Sequence, residues 1–185
     1  MPPATTSRFR LKRGTPEGAP GPWVWLAAWG PCGFSPVAPG TVGTLGAIPL
    51  FWLLRDLPLW LYRVTLAGFS ALAVAAAEAA GRYWRVADAS PIVIDEVAGY
   101  LLAMAFFPWS WEGALAGFLL FRAFDVLKPW PASALDRVKS GLGVVADDLA
   151  AGVWAAMAYA FLSLGLRLAL GCGGGLHFWC AELTP

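Results

Sequence analysis

Five carboxylates stand in the most apolar part of this chain, each inside a short and distinctive segment. Asp95 and Glu96 lie in PIVIDEVAGY, Asp125 in FRAFDVLKPWP, and Asp147 and Asp148 in GLGVVADDLAAG. Hydrophobic residues make up 58% of the 185 positions and charged ones only 14%. A carboxylate in such surroundings is costly unless it is paired or holds a cation, so this clustering asks for a chemical explanation. The chemistry it points to is phosphate ester hydrolysis, with acids on Mg²⁺ and bases neutralising the phosphate.

Each segment also has a plainer explanation. Asp95 and Glu96 precede an apolar helical run containing Gly99. A helix dipole favours acids in its first turn, yet such a pair can equally put one carboxylate on a metal and the other behind it. Arg122, Asp125 and Lys128 recur every three residues and share one helical face, where ordinary ion pairing would account for them. In the functional reading Asp125 binds Mg²⁺ while Arg122 and Lys128 hold phosphate oxygens. Pro129 and Pro131 then end the helix in an ordered loop. Asp147 and Asp148 could cap the last helix, but a cap needs only one acid. Ala150, Ala151 and Gly152 just beyond would let other helices approach closely. The candidate metal ligands are therefore Asp95, Glu96, Asp125, Asp147 and Asp148, and the candidate catalytic groups Asp125, Lys128, Arg122 and Asp148.

A fourth segment, FSPVAPGTVGTLGAIP, has no acid or base. Its hydroxyls (Ser35, Thr41 and Thr44) and glycines lead into an apolar helix and suit backbone capture of an anion, which makes them candidate phosphate binders beside Arg122 and Lys128. It is not a Walker A loop, since no Lys follows the last glycine, and a plain helix cap explains it as well. Absences narrow the mechanism further. The one histidine, His177, lies in the Gly-rich tail, which argues against a phosphohistidine route. No Cys is followed by Arg at the spacing of cysteine phosphatases, and neither Asp95 nor Asp125 begins a DxDx[TV] signature. Metal-assisted attack by water remains.

The elements that must position these groups read as helices throughout, because Ala and Leu dominate and period-two alternation is rare. An all-α, compact multi-helix bundle follows, with two helical hairpins, a long final helix and several membrane passes. Leu149 to Leu170 is long enough to span a bilayer at about 33 Å, and so is Leu57 to Ala80. Val42–Leu54, Val97–Phe107 and Gly113–Phe121 are shorter: half-spanning helices, tightly packed spans, or buried helices of a soluble bundle. Eleven tryptophans favour a membrane interface. One hairpin breaks near Arg55–Pro58 and the other at Pro108–Glu112, so the segments at 33–44, 90–99 and 122–148 fall on one side and can meet. Ten of the thirteen basic residues lie on that side, the cytoplasmic one by the positive-inside rule. Residues 1–22 read as a disordered basic arm without the run of a signal peptide, 23–171 as one domain, and 172–185 as a Gly-rich tail. Three cysteines form no CxxC or disulfide framework, although Cys172 and Cys180 could pair in an oxidising compartment. A net charge of +1 gives no basic field for nucleic acid.

From Gly33 to Gly152 the chain resembles the phosphatidylglycerophosphatase A family, through FSPVAPGTVGTL, IVIDEVAGY, FRAFDVLKPWP and GLGVVADDLAAG in that order. The resemblance implies a Mg²⁺-dependent enzyme of the bacterial inner membrane that removes the terminal phosphate of phosphatidylglycerophosphate. Its motif positions here are Asp95, Glu96, Asp125, Lys128, Asp147 and Asp148, with Arg122 beside them. Val145 stands where many relatives have Met, and Ser140 where Gly is common. Membrane phospholipids are then the expected partners. The competing class is a small transporter or ion-binding protein, which would place its acids near mid-membrane on several helices.

Overall fold

The computed structural model describes Pro16, residues 18–107 and residues 110–170, with side chains as far as residue 165. Most of the basic arm, Pro108 of the second turn, and the tail with Cys172, His177 and Cys180 lie outside the described residues. Those described form seven α-helices and no strand, as expected of an all-α chain. They are α1 (Pro22–Ala27), α2 (Pro39–Leu54), α3 (Leu59–Trp84), α4 (Ile94–Met104), α5 (Trp111–Leu127), α6 (Ala132–Leu135) and α7 (Gly141–Leu170).

Local chemistry sets the boundaries. Pro39 opens α2 and Pro58 precedes α3, both at positions where a missing N–H costs nothing. Helix α3 stops at Arg85, whose left-handed backbone (φ 55°) returns its N–H to the Arg82 and Gly81 carbonyls. Ser110 caps α5 by accepting the Gly113 N–H at 2.8 Å.

Helix α4 is the core of the molecule. Nine of its eleven residues are buried, and it lies between α2 and α3, with α5 and α7 closing the remaining sides. Two tyrosine hydroxyls tie it to its neighbours: Tyr62 Oη donates to the Leu101 carbonyl at 2.6 Å, and Tyr100 Oη to the Ala114 carbonyl at 3.2 Å. The segment Val97–Phe107 is thus the later part of this buried helix, which ends at Met104, with an exposed Phe106 in the turn beyond. Val42–Leu54 is the later part of α2, and Gly113–Phe121 is the middle of α5. Two helices, Leu59–Trp84 and Gly141–Gly165, are long and apolar enough to cross a membrane by length and composition. The second starts eight residues before the span expected from Leu149, and that shift reaches the acids.

Candidate metal and phosphate site

Asp147 and Asp148 sit about two turns inside α7, where they cap nothing. The caps come from elsewhere: Glu78 of α3 accepts the Gly141 N–H at 2.7 Å, and Ser140 Oγ the Gly143 N–H at 3.3 Å. Both aspartates are thus left to face inward. Close packing then brings them to α4. Gly99 lies one turn beyond Asp95 and Gly152 one turn beyond Asp148, and the two helices touch at these glycines. A β-carbon on Gly152 would lie 2.4 Å from the Gly99 carbonyl oxygen, and one on Gly99 2.6 Å from the Asp148 carbonyl oxygen. The first turn of α2 closes in similarly, since a β-carbon on Gly40 would lie 2.1 Å from Glu96 Oε1.

The result is one acidic cleft. Asp88, Asp95, Glu96, Asp125, Lys128, Asp136, Asp147, Asp148 and Val144 line it. Seven of the chain's twelve acids therefore share it. Two bases hold some of them. Arg122 Nη1 is 2.5 Å from Asp125 Oδ2 and 3.8 Å from Glu96 Oε1. Lys128 Nζ donates to Asp136 at 2.7 Å and to Asp147 Oδ2. The Arg122–Asp125 ion pair is the one their spacing implied. Lys128 departs from that face: with φ 44° ahead of Pro129 it ends the helix, its N–H bonds the Phe124 carbonyl, and its side chain turns to α6 and α7.

Asp95, Glu96 and Asp148 have no basic partner of comparable closeness, and an oxygen from each lies within 4.8 Å of the other two. Asp95 Oδ1, Glu96 Oε2 and Asp148 Oδ2 are all buried without a hydrogen-bond partner. Carboxyls also meet each other, Asp95 with Glu96 and Asp148 with Asp125, which needs either a proton or a cation between them. Burial, then Glu96 and Asp148, hold the Asp95 carboxyl well above its usual range. Burial pushes Glu96 up to about 7 against the opposing pull of Asp95 and Arg122. Burial alone would lower Lys128, but its bonds to Asp136 and Asp147 outweigh that and keep it protonated.

A divalent cation suits this arrangement. Three carboxylate oxygens already within 4.8 Å of one another are close enough for a shared cation to draw together. The set is all oxygen, as hard cations prefer. Asp125 and Asp147 line the same cleft but are held by Arg122 and Lys128, so the expected set of five divides into three clustered acids and two base-paired ones.

The three hydroxyls are placed differently. Thr44 is fully buried and donates to the Gly40 carbonyl at 2.9 Å, one turn back in α2. Ser35 donates to the Val37 carbonyl at 2.8 Å. Neither they nor Thr41 lines the cleft. Two residues that do line it were missed by the sequence reading, Asp88 and Asp136. The scarcity of acids in this chain makes both stand out, but only the fold joins Asp136 to Lys128.

Comparison with known proteins follows the same residues. A family model described as phosphatidylglycerophosphatase A matches residues 25–163. The chain is 37% identical over 134 residues to phosphatidylglycerophosphatase A of Escherichia coli (strain K12), covering 71% of this chain and 78% of that protein. It is 42% identical over 72 residues to the Haemophilus influenzae protein of the same name, covering 38% and 44%. It is also 37% identical over 131 residues to a Bacteroides thetaiotaomicron protein provisionally named phosphatidylinositol-3-phosphatase, covering 66% and 81%. No solved structure matches it.

Proposed function

Because the chain belongs to the phosphatidylglycerophosphatase A family, we propose that it is a Mg²⁺-dependent lipid phosphatase. It hydrolyses phosphatidylglycerophosphate to phosphatidylglycerol and phosphate in phospholipid biosynthesis. The observation that carries the reading is the convergence of three carboxylates, Asp95, Glu96 and Asp148, each with a buried oxygen that has no hydrogen-bond partner, beside Lys128 and Arg122. Seven acids against two bases leave a cleft that would repel a phosphate unless a cation entered with it.

Asp95, Glu96 and Asp148 would hold the Mg²⁺, which when bound neutralises phosphate charge and makes water more acidic. An ammonium has three N–H donors, and Asp136 and Asp147 take two from Lys128, leaving one for a phosphate oxygen. Arg122 fixes Asp125 and offers its remaining donors to the same phosphate. Water attacks phosphorus and gives up a proton, the bond to the glycerol oxygen breaks, and that oxygen takes up a proton and leaves as the alcohol. Asp125 is the competing nucleophile. An aspartyl-phosphate route commonly uses a second Asp two residues on, and Leu127 occupies that position. A chiral thiophosphate analogue turned over in labelled water should therefore give inversion at phosphorus; retention would recast Asp125 as nucleophile.

Seven acids gathered at one end of the bundle fit an enzyme better than a transporter, whose acids would be strung along the pathway. We place the cleft at the cytoplasmic face of a bacterial inner membrane, crossed by α3 and α7. The Bacteroides relative makes a phosphoinositide the second substrate to assay. Phosphate release from phosphatidylglycerophosphate and from phosphatidylinositol 3-phosphate in detergent tests the assignment. Faster release from the first is expected, and none from it would reject the reading.

A further inference from the structure

Two unlike exposed segments adjoin the residues of the cleft. Val126, Leu127 and Trp130, next in sequence to Asp125 and Lys128, are 73%, 72% and 76% exposed and make an apolar rim. Asp136, which lines the cleft, is followed by the exposed Arg137, Val138 and Lys139, which make a rim carrying two charges.

The apolar rim does not stop at the mouth. Along α5 the exposed residues after Glu112 are Leu115, Leu119, Ala123, Val126 and Leu127, all uncharged and on one helical face. Helix α7 adds Val153, Met157 and Phe161 at its own helical spacing. Phe124 and Trp154 stack at 6.0 Å and join the two helices, while Trp154 Nε1 donates to the Trp130 carbonyl at 3.2 Å and ties the rim to this face. From Leu115 to Leu127 the strip runs about 18 Å at 1.5 Å per residue, close to the ~15 Å of one leaflet in a ~30 Å hydrocarbon core. A strip of that length ending beside a phosphate-binding lysine matches a lipid whose tail stays in one leaflet.

We propose that the Val126–Leu127–Trp130 rim is a lipid-facing doorway. A diacyl phosphomonoester lies with its acyl chains along the outer face of α5 and α7 and passes its phosphate over this rim to Lys128, without leaving the membrane. The charged rim faces water and releases the freed phosphate. The inference rests on the phosphatase reading above and adds the route by which the substrate arrives.

The test compares the wild type with a Val126→Ser/Leu127→Ser double variant and with Trp130→Ala. Each is assayed on a long-chain phosphomonoester in phosphatidylcholine vesicles and on a short-chain version dissolved as monomers. The variants should lose roughly tenfold or more on the vesicle substrate and stay within about twofold on the soluble one, because membrane engagement scales with apolar area. Equal losses on both substrates, or no loss on vesicles, would overturn the doorway. A second readout needs no turnover: a benzophenone side chain at position 127 should photolabel the long-chain phosphomonoester, and one at position 137 should not. Equal labelling overturns the proposal even in a protein that releases no phosphate. Wild-type silence on both substrates would instead count against the phosphatase assignment, leaving the labelling result to decide the route.

Discussion

Lys128 is held between carboxylates of α6 and α7, and this defines its part in the site. Replacing it with Met removes the phosphate donor and leaves Asp147, buried in α7, without its base. Turnover and folding stability should then fall together, the latter by about 3 kcal/mol as for other broken buried pairs. A thermal unfolding midpoint equal to that of the wild type would contradict this. The clustered acids should behave differently. Asp95→Asn, Glu96→Gln and Asp148→Asn each remove a ligand, so each should lower turnover beyond the ~10–100-fold typical of outer-shell changes. Each should also raise the Mg²⁺ concentration needed for half-maximal rate. Thr44→Val is the contrasting case. Its hydroxyl is spent on the Gly40 carbonyl, so the KM for phospholipid should stay put while stability drops by about 1 kcal/mol. A several-fold rise in KM would return Thr44 to the phosphate site. At this scale the sequence was informative where residues formed motifs. It was poor where a lone acid such as Asp136 acquires meaning only by meeting Lys128, and where a hydroxyl such as Thr44 is consumed by its own helix.

The elements position these residues through close contacts that side chains would forbid. Helices α4 and α7 meet at Gly99 and Gly152, one turn beyond the acids they bring together. Gly152→Ala should push the helices apart, costing about 1–3 kcal/mol and raising the Mg²⁺ concentration needed for half-maximal rate in parallel. Gly68→Ala is the control, because a β-carbon there meets nothing within 4 Å. In the interior of α3 it should stabilise by about 0.5–1 kcal/mol through helix propensity alone. Chemical unfolding of both variants checks the pair, and a stable Gly152→Ala protein with intact activity would remove the crossing from the account. The sequence suggested close approach from Ala150, Ala151 and Gly152 but placed the start of α7 too late. Of its two caps Ser140 is local, but Glu78 lies 63 residues away, a partner that no local rule can find. The position of α4 between α2 and α3 was hidden for a related reason: a short apolar run reads alike whether it is lipid-facing or buried.

At the scale of the whole molecule, the gathering of three sequence segments at one end is the property from which the rest follows. The first turn of α2 touches Glu96, α4 carries Asp95 and Glu96, the turn before it carries Asp88, and the stretch from α5 to α7 supplies the other acids and both bases. Two hairpins would produce this meeting, and a membrane-spanning α3 would put the turn between α2 and α3 on the opposite side of the membrane. Single cysteines introduced as Ser140→Cys and Asp56→Cys, in a protein lacking its own cysteines, should label from opposite faces of sealed vesicles. Labelling from one face would reject the topology and leave the cleft intact. The cleft itself is tested most directly by phosphate release from phosphatidylglycerophosphate by metal-stripped protein as Mg²⁺ is added back, with Glu96→Gln alongside. The account predicts no turnover in excess EDTA, recovery on adding Mg²⁺, and recovery in the variant only at higher Mg²⁺. Undiminished turnover in EDTA would contradict it.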